Sequence, residues 1–309
     1  MNWYKVDLHI HTPASADYRQ AGVTYLDILK KAEEKGLDII AFTDHNSVRG
    51  YAELLSEIRD LEFLEALRRL QPNEKSRLDE YRSLLQKVFL LPGFEFTAMF
   101  GFHILGIFSE ETPVRDVEHL LLGMGIPSGK LDEGTGEVGA TVDVLTAYRM
   151  IREAGGMVIA AHVNSSHGVA LRGLGFSGQT KIAFTQDEHL HALEVTDLES
   201  TRPNRTAAFF DGSRPEYPRR MHCIQGSDAH RLDDDPGDRS QFGVGGRAIE
   251  MLLPQASFQA LEEAFESDDF TRMRPYRPSR EPFDQVQAAR VAGPSIVQSF
   301  HESISRRGG

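Results

Sequence analysis

Short apolar runs alternate with stretches of helical periodicity along the first part of the chain. Lys5 to Ile10 and Leu37 to Phe42 are apolar runs of strand length, and apolar residues between them recur at helical spacing. Thr24 is placed to cap this helix, with Asp27 in its first turn, and Gly36 is placed to end it. Such runs are typical of parallel strands that are buried on both faces. The first 45 residues are therefore predicted to form a strand, a helix and a second strand.

The same alternation returns in the second half of the chain. A helix is predicted from Thr141 through Ile151, followed by a strand from Met157 to Ala161. Leu193 to Thr196 and Met221 to Gln225 are predicted as further strands. Strands that alternate with helices indicate an α/β fold built on parallel strands.

Two segments interrupt this pattern, and the end of the chain departs from it. Residues 51–87 are helical and charged, with Pro72 separating two helices, and they are interpreted as a solvated hairpin or a partner-binding arm. Residues 110–140 hold a helix and a Gly-rich stretch, either a lid or a surface loop. We predict one domain over 1–285 that carries both insertions, and a weakly ordered C-terminal tail over 286–309.

Composition and charge narrow the class of protein. The 309 residues are 40% hydrophobic and 26% charged, which is ordinary for a soluble globular protein. The formal net charge of −12 argues against broad electrostatic binding of duplex DNA. Bound divalent cations would locally reverse that sign, so an anionic substrate at a metal site remains compatible with it.

The chain shows no feature of a membrane or secreted protein. No apolar run is long enough to span a bilayer, and Asp7 interrupts the apolar stretch nearest the N-terminus. Cys223 is the single cysteine and cannot form a disulfide within the chain. We therefore expect a cytoplasmic protein.

Titratable side chains gather in short motifs that follow the apolar runs. His9 and His11, two positions apart on an extended chain, point the same way and can bind one metal ion. The motifs are Asp7-Leu8-His9-Ile10-His11, Thr43-Asp44-His45, Ala160-Ala161-His162 and Ser227-Asp228-Ala229-His230, with Glu95 in Gly93-Phe94-Glu95-Phe96 and His103 in Phe102-His103-Ile104-Leu105-Gly106. Gathering them without a cation would leave buried charges unpaired, at a cost of several kcal/mol each. Imidazole and carboxylate ligands without thiolate suit Zn, Mn or Fe(II).

The ordered set HIH, TDH, GFEF, FHILG, AAH and SDAH resembles the PHP (polymerase and histidinol phosphatase) superfamily, from Val6 to about His230. The resemblance implies a distorted (β/α)7 barrel whose strand ends carry two to three divalent metal ions. It implies a first ion held by His9, His11, Glu95 and Asp228, a second held by Glu95, His103 and His162, and a third held by Asp17, His45 and His230.

The leading hypothesis is hydrolysis of a phosphomonoester, on a nucleotide or a small phosphorylated metabolite, by a hydroxide that bridges two metal ions. Glu95 would bridge the ions and Asp44 would orient neighbouring residues. His167 would act on the leaving group, contact phosphate, or be a plain loop residue. Candidate phosphate contacts, for each of which a plain surface position is the favoured interpretation, are Arg172, Lys181, Arg202 and Arg205.

Two alternatives remain at this stage. The first is a phosphodiesterase or exonuclease acting on the ends of short single-stranded nucleic acid, which a basic groove with exposed aromatic residues would favour. The second is a non-catalytic regulatory PHP module, whose signature would be the loss of metal ligands. Nearly every ligand that the resemblance implies is present, which favours an enzyme.

Overall fold

A computed structural model describes residues 1–137, 141–170, 178–203, 205–238 and 240–276, and nine strands within them form one sheet. The strands are β1 (Asn2–Ile10), β2 (Ile39–Phe42), β3 (Phe89–Thr97), β4 (His103–Ile107), β5 (Met157–Ala160), β6 (Ala192–Glu194), β7 (His222–Ile224), β8 (Ile249–Leu253) and β9 (Met273–Pro275). Their order across the sheet is β7-β6-β5-β4-β3-β2-β1-β8-β9. The described residues all lie in one compact unit, and the predicted tail over 286–309 falls outside them.

Backbone contacts between β1 and the segment after β7 bend this sheet into a nearly closed barrel. Ile10 bridges to Ala229 in parallel, and the N–H of His11 donates to Ala229 O at 3.0 Å. The N–H of Asp228 likewise donates to His9 O at 2.9 Å. The distorted α/β barrel that the sequence predicted is thereby confirmed.

The direction of β4 corrects the expectation of a wholly parallel barrel. β1, β2 and β3 pair in parallel, as do β5, β6 and β7, but β4 is antiparallel to both of its neighbours, and β8 is antiparallel to β1. His103 begins β4, whereas His9 and Glu95 lie near the carboxyl ends of β1 and β3 and the other motifs follow the carboxyl ends of their strands. Because β4 is reversed, its first residue lies at the same rim as those ends.

Helices cover the sheet: α1 (Tyr25–Glu34), α2 (Arg49–Ala66), α3 (Pro72–Leu85), α4 (Val114–Gly123), α5 (Val144–Glu153), α6 (Gly178–Gln186), α7 (Thr206–Phe209) and α8 (Phe258–Glu266). Thr24 caps α1 in a capping box with Asp27, and Pro72 opens α3, both as predicted. The helix predicted from Thr141 begins instead at Val144, because the Asp143 carboxylate accepts the first free backbone N–H groups. No helix in the described ranges is both long and apolar enough to cross a membrane.

Apolar side chains are buried on both faces of the strands, as their continuous apolar runs predicted. In β2, Ile40 and Phe42 join one apolar cluster, whereas Ile39 and Ala41 join a second cluster that also contains the buried face of α8. The sequence analysis had assigned no element to the residues that form β8, α8 and β9. A core on each side of the sheet leaves the rim at the strand ends as the place where polar side chains converge.

Candidate metal centre

His9 and His11, at the end of β1, form the first group of converging side chains. Their Nε2 atoms lie 3.2 Å apart, and Asp228 Oδ1 lies 3.4 Å from the first and 3.5 Å from the second. Glu95 Oε1 is 3.5 Å from His9 Nε2, and Glu95 Oε2 is 3.4 Å from His11 Nε2. These spacings let all four side chains face one point, and they are the set that the family resemblance implies for a first ion.

Hydrogen bonds from outside the group determine how the two rings present their nitrogens. Nδ1 of His9 lies 2.9 Å from Glu194 Oε2, which can only accept, so this nitrogen carries the proton. The Ser15 hydroxyl donates to Asp44 Oδ1 at 2.7 Å and lies 3.0 Å from His11 Nδ1, from which it can accept. Both Nε2 atoms are therefore directed at the shared point, as in other metal-binding histidines.

Glu95 lies at the centre of the whole cluster and is fully buried. Its Oε1 is 2.8 Å from His103 Nδ1 and 2.9 Å from His162 Nε2. Its Oε2 is 2.9 Å from His45 Nδ1. Because the same carboxylate also faces His9 and His11, Glu95 has the position that a ligand bridging two ions requires.

Asp17 completes a third group at the rim. Its Oδ2 lies 3.1 Å from His230 Nε2 and 3.4 Å from His45 Nε2. The His230 ring stacks on His11 with centroids 3.9 Å apart, which joins the third group to the first. All nine ligands implied by the family resemblance thus lie in one connected cluster, and their division among separate ions stays a prediction.

Two members of the cluster have left-handed backbone conformations, at φ 27° for His162 and φ 54° for Asp228. Such conformations in non-glycine residues cost on the order of 1–3 kcal/mol and persist where the surroundings enforce them. Glu194 Oε2 accepts the N–H of His162 at 2.8 Å, and His9 O accepts that of Asp228 at 2.9 Å. Strain held in this way is typical of functional sites.

Several buried ligand atoms in this cluster have no hydrogen-bond partner, and they indicate whether a cation would fit there. His45 Nδ1, Glu95 Oε2 and His230 Nε2 are buried without a hydrogen-bond partner, although each lies close to an oppositely charged neighbour. Their ligand atoms also fall into groups of three within 4.8 Å of one another: His9, His11 and Asp228; His11, His45 and His230; His45, Glu95 and His103. A divalent cation would satisfy these atoms, so the residues fit the metal ions that the sequence predicted.

The charges in the cluster are mutually dependent. Burial acts to raise the pKa of Glu95, but His103, His9 and His45 outweigh it and hold that pKa well below its usual value. Burial acts to lower the pKa of His9, but Glu194, Asp228 and Glu95 outweigh it and raise that pKa well above its usual value. Protons on the imidazoles thus balance the buried carboxylates, and a metal ion would take over that role while releasing protons.

Asp7 ties the cluster to the loop before β8. Its carboxylate accepts the N–H groups of Ser227 and Gly245, both at 3.0 Å, and that of His9 at 3.3 Å. Burial raises the pKa of Asp7 to about 6, against the lowering effect of these donors. Asp7 therefore acts on the backbone around the cluster, and the sequence analysis assigned it no such role.

The other predicted residues divide between those at the cluster and those away from it. Asp44 lies beneath the cluster, where Thr12 N–H donates to it at 2.7 Å, and His167 stacks on His103 with ring centroids 4.6 Å apart. Lys181, Arg202 and Arg205 do not line the cavity above the cluster, whose arginine is Arg247, and Arg172 lies outside the described residues. Sequence reasoning also missed Glu194, although a carboxylate inside a predicted buried strand was a usable signal.

Another group of potential ligands, His191, Glu262 and Glu266, does not offer a metal site. The N–H of Val158 donates to His191 Nδ1 at 3.0 Å, and Nη1 of Arg152, which can only donate, lies 2.9 Å from His191 Nε2. Burial and Arg152 lower the pKa of His191 to about 3, which keeps the ring neutral. Arg152 itself pairs with both glutamates. The Arg152 guanidinium thus already contacts all three groups that a metal ion would need.

Replacing Glu194 with glutamine should weaken metal binding by about tenfold to a hundredfold, the usual cost of losing a residue that orients a ligand. One amide oxygen would have to serve both the His9 ring and the His162 backbone, and its NH2 group would occupy a buried position without a partner. Competition titration against a chelator measures this affinity. Glu153→Gln, at an exposed position on α5, is the matched control. Equal affinities in the two variants would contradict the role of Glu194.

Comparison with known proteins agrees with this geometry. Residues 7–96 match the PHP domain family. An uncharacterised protein of Methanocaldococcus jannaschii is 41% identical over 56 residues, which is 16% of this chain and 33% of that protein.

Solved structures extend the likeness beyond the matched segment. The lesion-specific endonuclease PfuEndoQ of Pyrococcus furiosus is similar over 89% of this chain, with a TM-score of 0.53 and 16% identity. Endonuclease Q in complex with a 27-mer duplex that carries an abasic lesion is similar over 86% of this chain, with a TM-score of 0.51 and 15% identity. This chain covers 58% and 57% of those two chains. At these identities the likeness establishes the fold.

Proposed function

We propose that this chain, which carries a PHP domain, is a metal-dependent phosphoesterase that hydrolyses the terminal phosphate of a nucleotide or small metabolite. The convergence of nine imidazole and carboxylate side chains, with Glu95 at their centre, carries the proposal. Clusters of this composition hold Zn, Mn or Fe(II), and such ions supply an acidified water molecule and positive charge for phosphoryl oxygens.

The residues of the chain prepare the centre for this chemistry. Glu194 and Ser15 hold His9 and His11 with their Nε2 atoms directed inward. Glu95 spans the two inner groups, and its burial keeps bulk water away from the point where they meet. At the rim, the ring Nδ1–H of His167 donates to Gly101 O at 3.0 Å. This leaves His167 Nε2 as the nitrogen that exchanges a proton with a leaving group.

The size of the cavity favours a small substrate. It measures about 660 Å³ above the cluster, within the range of roughly 300–1,000 Å³ that is usual for small-molecule sites. The net charge of −12 also disfavours an extended nucleic-acid track.

The second candidate is a nuclease that acts on nucleic-acid ends, and the fold likeness to endonuclease Q favours it. The two functions share the metal centre and differ in the group that leaves. A monoesterase releases inorganic phosphate, whereas a nuclease cleaves between nucleotides.

A substrate screen with purified protein tests both functions. The protein is reconstituted with Mn, Zn or Fe(II) and offered nucleoside monophosphates, sugar phosphates, short single strands with a terminal phosphate, and duplex DNA with an abasic site. We expect phosphate release from monoesters with at least one metal. Strand cleavage without phosphate release would replace the proposal with the nuclease, and no hydrolysis with any metal would overturn both.

A further inference from the structure

The cavity above the metal centre has a second set of lining residues, from the segment that precedes β8. Ser240, Phe242 and Arg247 belong to it. The described residues that line the cavity otherwise carry imidazole, hydroxyl, carboxylate or aromatic groups. Among them, Arg247 has the one side chain with a permanent positive charge.

The guanidinium of Arg247 has no hydrogen bond or ion pair with any of the described residues. Its Nε is buried without a partner, and its Cζ lies 4.5 Å from the centroid of the Phe242 ring. By contrast, Arg152 and Arg231 each pair with carboxylates. A buried N–H without a partner costs on the order of 1–3 kcal/mol, so its presence beside a metal centre points to a ligand that supplies the acceptor.

The backbone on both sides of Arg247 is tied to segments that carry ligands of the metal centre. The N–H of Gly245, at φ 69°, donates to Asp7 Oδ2 at 3.0 Å, which ties the segment to the end of β1. On the other side of Arg247, the side chain of Gln225 donates to Ala248 O at 2.9 Å. These bonds connect the backbone on both sides of Arg247 to β1, which carries His9, and to the segment after β7, which carries Asp228.

We propose that Arg247 binds the non-bridging oxygens of the phosphoryl group that is hydrolysed, and so selects terminal phosphates. This inference rests on the proposed function. A guanidinium pairs with two phosphate oxygens through two parallel N–H groups, and the Nε–H of Arg247 has no partner among the described residues. A monoester has three non-bridging oxygens, enough for the arginine and the metal centre together, whereas a diester has two.

Titration of inorganic phosphate into the Mn-loaded protein measures this interaction directly. Arg247→Gln should raise the Kd for phosphate by roughly tenfold to a hundredfold. Arg247→Lys should keep part of the affinity for phosphate, because lysine keeps the positive charge but lacks the two parallel N–H groups of the guanidinium. Both variants should retain the wild-type metal content, since Arg247 is not a ligand. Arg149 is an exposed arginine on α5, and Arg149→Gln removes the same charge as Arg247→Gln. The Kd of this variant for phosphate should stay within about twofold of the wild-type value.

Kinetics with a monoester from the screen separate binding from folding. Arg247→Gln should raise KM more than it lowers kcat, and added methylguanidine should restore activity to Arg247→Ala. Unchanged phosphate affinity and KM in Arg247→Gln, with an active wild type, would overturn the inference and leave the proposed function standing. Phosphate binding that depends on Arg247, in a wild type that hydrolyses no ester, would overturn the proposed function and leave an anion site.

Discussion

Glu95→Gln should lower turnover by roughly a thousandfold or more. The variant loses several kcal/mol of charge stabilisation, and each loss of about 1.4 kcal/mol lowers the rate tenfold. The amide has nearly the same shape as the carboxylate but removes the negative charge that faces five imidazoles. It is also a poorer ligand for two cations at once. The measurement is kcat on a substrate from the screen, at saturating metal, with metal content determined by elemental analysis.

Two further variants calibrate this loss. Asp17→Asn, at the exposed third group, should cost less than Glu95→Gln. His119→Ala, an exposed position on α4, should cost almost nothing. Circular dichroism should show the same fold in all three. Wild-type turnover in Glu95→Gln would show that Glu95 does not bridge two ions, even though the barrel is correct.

Removing the metal ions should abolish hydrolysis and lower the melting temperature. A ligand present at a hundred times its Kd stabilises the folded state by about 2.7 kcal/mol. For a domain of this size, that corresponds to a shift of roughly 5 °C or more. Differential scanning calorimetry of chelated and reconstituted protein measures the shift, and assays of the same samples measure activity. Lowering the pH should release the ions as well, because protonated imidazoles cannot bind them.

The same comparison has an internal control. His119→Ala should show the full metal-dependent shift, because its imidazole lies outside the cluster. Asp17→Asn should show a smaller metal-dependent shift in melting temperature, because it loses a ligand of one of the predicted ions. A chelated wild type with unchanged activity and melting temperature would contradict the metal centre itself.

The sequence was most informative where chemistry depends on local spacing. His9 and His11 face one point because a strand alternates its side chains, and this holds in any fold that extends them. Residues that act through distant partners were harder to find. Glu194 contacts His9 across 185 positions, and Arg247 is recognisable only when the cavity and its absent partners are known.

Strand direction could not be inferred from the apolar pattern. The apolar residues that follow His103 do not show in which direction their strand runs, so the antiparallel pairing of β4 with β3 and β5 could not be predicted. Hydrogen-bonded pairing with β3 and β5 decides the matter, and such pairing is a property of the assembled sheet. The same limit concealed β8, whose partner β1 lies at the opposite end of the chain.

The hydrogen bonds that Asp7 accepts from the segment before β8 constrain the order in which the protein assembles during synthesis. The carboxylate of Asp7 can accept the N–H of Gly245 only after Gly245 has been synthesised. The group formed by His9 and His11 likewise stays incomplete until Asp228 has been synthesised. A ribosome adds about 5–20 residues per second, so roughly 10–50 s pass between the first ligands and the last part of their support. During that interval the nascent chain holds the imidazoles of β1 without the carboxylate that completes their group. Ion uptake therefore follows translation, and a chain that stops before Asp228 should carry seven of the nine ligands and no complete first group.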